Sequence, residues 1–145
     1  MANEVPYAFP VELLSGTHNF ASDTFKLALY TSSPYTTAST VYDATNETTG
    51  TEYSAGGNSL TGNAVSNVAN YATVDFTDSV WGSPTPATFS AAYGAIYNSS
   101  QANKLVVILD FGGTKSCSNG TFTVTFPSPT SGSPSGADAL LSIQS

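Results

Sequence analysis

Apolar and polar residues alternate along several stretches of the chain, and a two-residue period is typical of strands with one buried face. The stretch FKLALY lies inside residues 24–31, and it places Phe25, Leu27 and Leu29 on one side. Near the C-terminal end, Phe122 and Val124 begin a similar alternation with threonines. No segment shows an apolar stripe of helical period longer than about two turns. The pattern therefore predicts a protein built from strands.

Further stretches add strands and turns to this prediction. Val65, Val74 and nearby apolar positions flank turn-forming asparagines, which indicates a hairpin. TFSAAYGAIYN predicts another strand, and the prolines of GSPTPATF predict a loop before it. KLVVILDF is the most apolar stretch and predicts the central strand of a sheet, buried on both faces. Asn119-Gly120 predicts a tight hairpin, and ALLSIQS predicts a terminal strand with Leu141 and Ile143 turned inward.

The first 23 residues differ from the rest because they contain Pro6 and Pro10 among scattered apolar positions. Proline restricts the backbone and favours extended conformations, so this segment is predicted to be an extended arm. Residues 24–145 are predicted to form one all-β domain, a β-sandwich or jelly-roll-like fold of roughly eight strands. The apolar side chains that the arm offers to another surface are Val5, Tyr7, Phe9 and Val11.

Composition narrows the function classes. The 145 residues include ten acidic residues, three lysines and no arginine, which gives a net charge of −7. Such a charge repels phosphate backbones and anionic lipids, so neither nucleic acid nor a membrane is an expected partner. No apolar run is long enough to span a bilayer, and MANEVPYAFP lacks the pattern of a signal peptide. We therefore expect synthesis and folding in a cytoplasm.

The residue types that usually carry catalysis are scarce. His18 is the only histidine and Cys117 the only cysteine, and they lie far apart in the sequence. A plain polar contact or a solvated side chain is the expected role of His18, and Cys117 is expected to fill space in a hairpin. We expect no catalytic residue, no cofactor and no metal site.

Several carboxylates have a structural and a functional interpretation. Asp75 and Asp78 in VDFTD have the residue types of a sugar-cleaving or calcium site, but a strand end and a turn explain them as well. Asp43, Asn46 and Glu47 lack the ordered spacing of a calcium loop. Asp110 is expected at a strand end with a lysine or backbone amide as partner.

The succession FKLALYTSS, TEYSAGGNSLTG, VDFTDSVW, TFSAAYGAIYNSS, NKLVVILDFGGTKSCSNGTFTVTFP and ALLSIQ resembles a group of small virion proteins of tailed bacteriophages. The resemblance covers nearly all of the chain from Phe25 onward. It implies a capsid decoration, or cement, protein that binds the major capsid protein on the capsid surface of the virion. A homotrimer at three-fold or quasi-three-fold positions is the assembly that we expect from it.

Two other functions stay open at this stage. A tail or head-fibre module would grip a host glycan through surface tyrosines and Trp81, because aromatic rings stack on sugar rings. An enzyme would use Asp75 and Asp78, although the chain has no arginine and one histidine to position a substrate. The cement function is the one that the sequence favours.

Overall fold

The structure is a computed structural model that describes residues 3–68, 71–127 and 140–144. Within these residues the chain forms one helix, α1 (Ala8–Leu14), and nine strands. The strands are β1 (Phe25–Tyr30), β2 (Asn58–Ser59), β3 (Ala64–Val68), β4 (Tyr71–Asp75), β5 (Ser79–Trp81), β6 (Ala87–Asn98), β7 (Lys104–Gly120), β8 (Phe122–Val124) and β9 (Leu141–Gln144). The predicted all-β class is confirmed.

The strands form three antiparallel sheets. The largest has the order β2-β1-β6-β7, the second has the order β3-β4-β9, and the third pairs β5 with β8. The predicted strand at residues 24–31 is confirmed as β1, and the predicted hairpin is confirmed as the β3–β4 pair, in which Val65 lies opposite Val74. Residues 69 and 70, between these two strands in the sequence, lie outside the described residues.

The four-stranded sheet is covered on both faces, because successive side chains of a strand point to opposite sides. Leu27 and Leu29 of β1 belong to a core that also contains Trp81 of β5 and Phe122 of β8. Ala28 and Tyr30, in alternate positions, belong to a second cluster with Tyr35 and Tyr97. The long excursion between β1 and β2, residues 31–57, thus covers the face that the other sheets leave open.

Tyrosine hydroxyls fix this excursion in place. The Glu47 carboxylate accepts hydrogen bonds from Tyr42 (2.6 Å) and Tyr53 (2.7 Å), and Tyr97 donates to the Gly56 carbonyl at 2.8 Å. Burial raises the pKa of Tyr97 to about 12 and raises the pKa values of Tyr42 and Tyr53 as well. These phenols therefore stay protonated and keep donating over the ordinary pH range.

The predicted central position of KLVVILDF is wrong, although its burial is confirmed. Residues 105–109 are all buried, but β7 is the last strand in the sheet order. Its outer edge is covered near Ile108 because Glu4 exchanges two backbone hydrogen bonds with that residue, at 2.9 and 2.8 Å. A strand can thus be buried on both faces at the end of a sheet when another segment covers its edge.

The predicted Asn119-Gly120 hairpin is also wrong. β7 continues through both residues, and Gly120 lies opposite Ala87 of β6. The next strand, β8, pairs with β5 instead of folding back on β7. Asn119 does adopt the left-handed conformation, with φ of 50°, but here that conformation turns the chain toward another sheet.

The first 23 residues are not a wholly extended arm, because α1 occupies residues 8–14. Pro10 does not prevent this helix, since it lies in the first turn, where the missing N–H has no acceptor within the helix. The helix ends at Leu14, and Gly16, whose φ is 74°, follows its C-cap Ser15. The Gly16 N–H donates to the Leu13 carbonyl and the Thr17 N–H to the Glu12 carbonyl, which is the Schellman pattern of helix termination.

Candidate functional site: the apolar outer face of the N-terminal helix

The helix α1 has an inner side that packs on the domain and an outer side that faces solvent. Successive helical residues are about 100° apart, so Phe9, Glu12 and Leu13 lie on one side while Tyr7, Val11 and Leu14 lie on the other. The burial of these residues follows the same division. Both sides are rich in apolar residues, which is unusual for a helix at the surface of a globular protein.

The inner side is held first by aromatic packing. Phe9 is buried, and its ring lies 5.2 Å from the His18 ring and 6.2 Å from the Phe20 ring. Phe20 stacks on Phe25 of β1, with ring centroids 4.6 Å apart. These contacts join the helix to the core of the four-stranded sheet.

A charged network holds the inner side further. Glu12 forms an ion pair with Lys104 at the start of β7, and its other carboxylate oxygen lies 3.1 Å from His18 Nε2. Asn98 is fully buried and donates to His18 Nδ1 at 3.1 Å and to the Asp23 carboxylate at 2.7 Å. Because Asn98 donates to Nδ1, the His18 proton belongs on Nε2, where it bonds to Glu12.

The electrostatics of this network favour ionised carboxylates. Burial raises the pKa of Glu12, but hydrogen bonds from Lys104 and His18 outweigh it and hold that pKa below its ordinary value. Burial likewise raises the pKa of Asp23, and hydrogen bonds from the Asn19 backbone and Asn98 outweigh it. The helix is therefore pinned by groups that remain charged and paired near neutral pH.

The outer side of α1 is an apolar face without a partner in the described structure. Tyr7 is 73% exposed, Val11 is 66% exposed and Leu14 is 89% exposed. Their spacing of four and three residues puts them in one row along the helix. We call these three residues the α1 face. An exposed apolar row on a rigidly anchored helix has the form of a protein-binding surface.

An open groove of about 650 Å³ runs beside the α1 face, between the helix and the sheet β3-β4-β9. Pro10 and Leu13 form its wall on the helix, and Val65, Val74 and Ile143 line it from the sheet. Ile143 points to the same side as Leu141 but is 57% exposed, so its predicted docking into the core is wrong, whereas Leu141 does pack partly against the core. The groove extends the apolar surface of α1 onto a second element.

The structure separates the four predicted contact residues of the arm. Val5, Tyr7 and Val11 are exposed, but Phe9 is buried and is part of the core, so its predicted contact role is wrong. Sequence reasoning missed Leu14, the most exposed apolar residue of the helix. The spacing of Tyr7, Val11 and Leu14 would have revealed it if Pro10 had been accepted in a first turn.

The predicted surface position of Trp81 is wrong as well, since this residue is only 3% exposed. It lies among aromatic rings, stacked at 6.2 Å on Tyr53 and edge-on to Phe89 and Phe122. Its indole N–H has no hydrogen-bond acceptor in the described structure.

The other candidate residues have structural contacts. Asp75 accepts a hydrogen bond from the Phe76 N–H, and Asp78 accepts one from the Phe126 N–H at 2.9 Å. Asp110 lies within β7, so its predicted strand-end position is wrong, but it accepts from the Gly112 N–H, which confirms a backbone partner. Cys117 is a half-buried free thiol, and His18 is buried in the network described above. Among the described residues, no three His, Cys, Asp or Glu side chains are grouped so that they could hold a metal ion.

No protein-family model, curated protein or solved structure matches this chain. In the part of the chain that the structure describes, no helix has the length and apolar character needed to cross a membrane.

Proposed function

We propose that the chain is a structural protein of a bacteriophage virion, which decorates the capsid and stabilises the shell by bridging capsomers of the major capsid protein. The α1 face is the observation that carries this proposal, together with the sequence resemblance to small virion proteins. A two-layered β-sandwich is the architecture that we propose for the domain, because β5 and β8 cover one face of the four-stranded sheet.

The apolar area of the α1 face suits a contact that is repeated in several copies better than a single contact. At these exposures Tyr7, Val11 and Leu14 offer roughly 300 Å² of apolar side chain. Burying that area contributes roughly 8 kcal/mol, while association costs about 4–15 kcal/mol. One such face binds weakly by itself. Several linked copies bind much more tightly, because avidity multiplies their separate contacts.

The anchoring of α1 supports the same role. A decoration protein must present its contact residues in one geometry at every position of the capsid, and ordering a loose arm at each site would cost conformational entropy. The network around Glu12 and Asn98 fixes the helix before binding. The homotrimer expected from the resemblance is the assembly that we propose for the bound protein.

The test is a binding assay on expanded capsids that lack this protein, with the purified full chain added and co-sedimentation as the readout. We expect the wild-type chain to saturate at a fixed number of copies per capsid. The triple variant Tyr7→Ser, Val11→Ser, Leu14→Ser should bind at least about 100-fold more weakly, since it removes most of the apolar contact area. The double variant Val41→Ser, Val80→Ser is the matched control, because it removes exposed valines elsewhere and should bind as the wild type does.

Two results would contradict the proposal at different levels. Equal binding of the triple variant and the wild type would exclude the α1 face as the contact. No binding of the wild type to capsids, with its density found on the tail in a reconstruction of the virion, would replace the cement function by the adsorption function.

A further inference from the structure

The strand β3 lies at the edge of its sheet, and its outer side meets no strand among the described residues. In an antiparallel pair, residues alternate between bonding to the neighbouring strand and pointing both backbone groups away from it. At least two of the five residues of β3 therefore turn their N–H and C=O groups toward the open side. Residues 64–67 are exposed in the structure.

The edge of β3 lacks the features with which proteins usually protect such strands. Charged side chains, prolines, bulges and covering segments are the common means. The stretch GNAVSNV has no charge and no proline, and the pairing of β3 with β4 runs without a bulge from Ala64 to Val68. The outer edge of β7 differs, because Glu4 bridges to it and Lys115 lies exposed on it. The open side of β3 is thus suited to pairing.

We propose that β3 pairs antiparallel with β3 of a second copy of this chain, about a two-fold axis perpendicular to the sheet. An antiparallel edge is self-complementary, since the same groups of both copies meet across such an axis. The pairing joins the two sheets into one with the order β9-β4-β3-β3-β4-β9. This proposal concerns pairs of free copies in solution, whereas the trimer proposed above concerns copies bound to a capsid, and it does not depend on the proposed binding to capsids.

The net charge of the chain favours a second copy as the partner at the β3 edge. Each copy carries a net charge of −7, so two copies can approach closely only across an uncharged surface. The β3 edge and the adjoining groove lining contain no aspartate, glutamate or lysine among the described residues. A basic partner would find no carboxylate there to pair with. A neutral edge on an acidic chain fits another acidic chain.

Symmetry limits the register, and the overlap of the two strands selects one. A two-fold axis perpendicular to the sheet places one residue opposite its own counterpart, because facing residues must point to the same side of the sheet. Centring the pair on Ser66 overlaps all five residues of β3, with Val65 opposite Asn67 of the second copy. Val65 is 58% exposed, and in this arrangement it gains a neighbour. The Ser66 hydroxyl lies 2.9 Å from the Thr73 hydroxyl of β4, within hydrogen-bond distance.

A disulfide test follows from this register. Residues that face each other in antiparallel strands have Cα atoms about 4.5–5.5 Å apart, within the range that a disulfide spans. In a Cys117→Ser background, Ser66→Cys should form a disulfide-linked dimer on mild oxidation. Ser59→Cys is the matched control, since Ser59 is also an exposed serine on an edge strand, and it should stay monomeric. Equal cross-linking of both variants, or none in Ser66→Cys, would overturn the pairing.

A second measurement does not need a new cysteine. Sedimentation of the wild-type chain should show a dimer that increases with concentration, and the dimer fraction should rise with salt because salt screens the repulsion between copies. Val65→Lys should abolish the dimer by placing a charge at the edge, while Val80→Lys should not. A wild-type chain that stays monomeric up to about 1 mM would overturn the proposal. Asn67→Lys places a charge on the same strand at an exposed residue outside the groove lining. It should also abolish the dimer but still bind capsids, so failure of the pairing can be told apart from failure of the capsid function.

Discussion

Replacing Asn98 by alanine should weaken the attachment of α1 and destabilise the whole domain. The buried Asn98 side chain donates to His18 Nδ1 at 3.1 Å and to the Asp23 carboxylate at 2.7 Å, and it accepts from the Ser100 N–H at 3.0 Å. The bonds with His18 and Ser100 are each worth about 1 kcal/mol, and the bond to the Asp23 carboxylate is worth about 1.5–3 kcal/mol. We therefore expect a loss of about 4 kcal/mol in the free energy of unfolding.

The assay is urea unfolding followed by the fluorescence of Trp81, the only tryptophan, which is buried and so reports global unfolding. A loss of about 4 kcal/mol lowers the melting temperature of a domain of this size by about 8–16 °C. Ser99→Ala is the matched control, since it removes one exposed hydrogen bond to the Thr24 carbonyl and should cost about 0.5 kcal/mol.

Hydrogen exchange adds a local readout. Amide exchange in residues 8–14 should accelerate more in Asn98→Ala than exchange in β1, because the helix loses its attachment before the sheet opens. If Asn98→Ala costs less than about 1 kcal/mol, or if helix and sheet exchange change equally, the network does not anchor α1.

Two further predictions follow from the same structure. The pKa of Glu12 is lowered on folding, so its contribution to stability is complete above the ordinary pKa of about 4.3 and is lost as the pH falls through the lower folded value. Thermal melts between neutral and acid pH should show this loss, and Glu12→Gln should reduce the slope of stability against pH. An unchanged slope would exclude Glu12 as a source of the pH dependence. Gly57→Ala should unfold the domain or cost more than about 3 kcal/mol in urea unfolding, because the new Cβ would lie 1.8 Å from a carbonyl oxygen of β1. Gly112 has nearly the same φ but open space around it, so Gly112→Ala should cost about 1 kcal/mol in the same assay. Similar losses in both variants would mean that the backbone conformation, and not the close contact, limits residue 57.

Local periodicity was enough to predict the strands with one buried face. The alternation around Leu27 and the apolar run at residues 105–109 identify β1 and the first part of β7, because side-chain direction in a strand depends only on the parity of the position. Pairing partners are a different matter. Asn119-Gly120 is a strong local turn signal, yet β8 pairs with β5, and that choice depends on which strand edges remain open in the assembled domain.

The site was less predictable because its parts meet only after folding. Asn98 and His18 are 80 residues apart, and Lys104 and Glu12 are 92 residues apart, so no local pattern connects them. Pro10 also favoured an extended arm in the sequence, since its tolerance in a first turn becomes evident only when the helix start is known. Trp81 lies in a short strand beside prolines, and its burial depends on rings that distant segments supply.

The distant anchoring of α1 has a consequence for synthesis. The helix leaves the ribosome before Lys104 and Ile108, which hold its segment to the sheet and follow about a hundred residues later. At about 5–20 residues per second, this delay lasts roughly 5–20 s. During that time Phe9 and the residues of the α1 face are exposed together on an unanchored segment. A chaperone that binds apolar segments has its longest opportunity there, and ribosome-bound chains that end before Lys104 should be the ones that it retains.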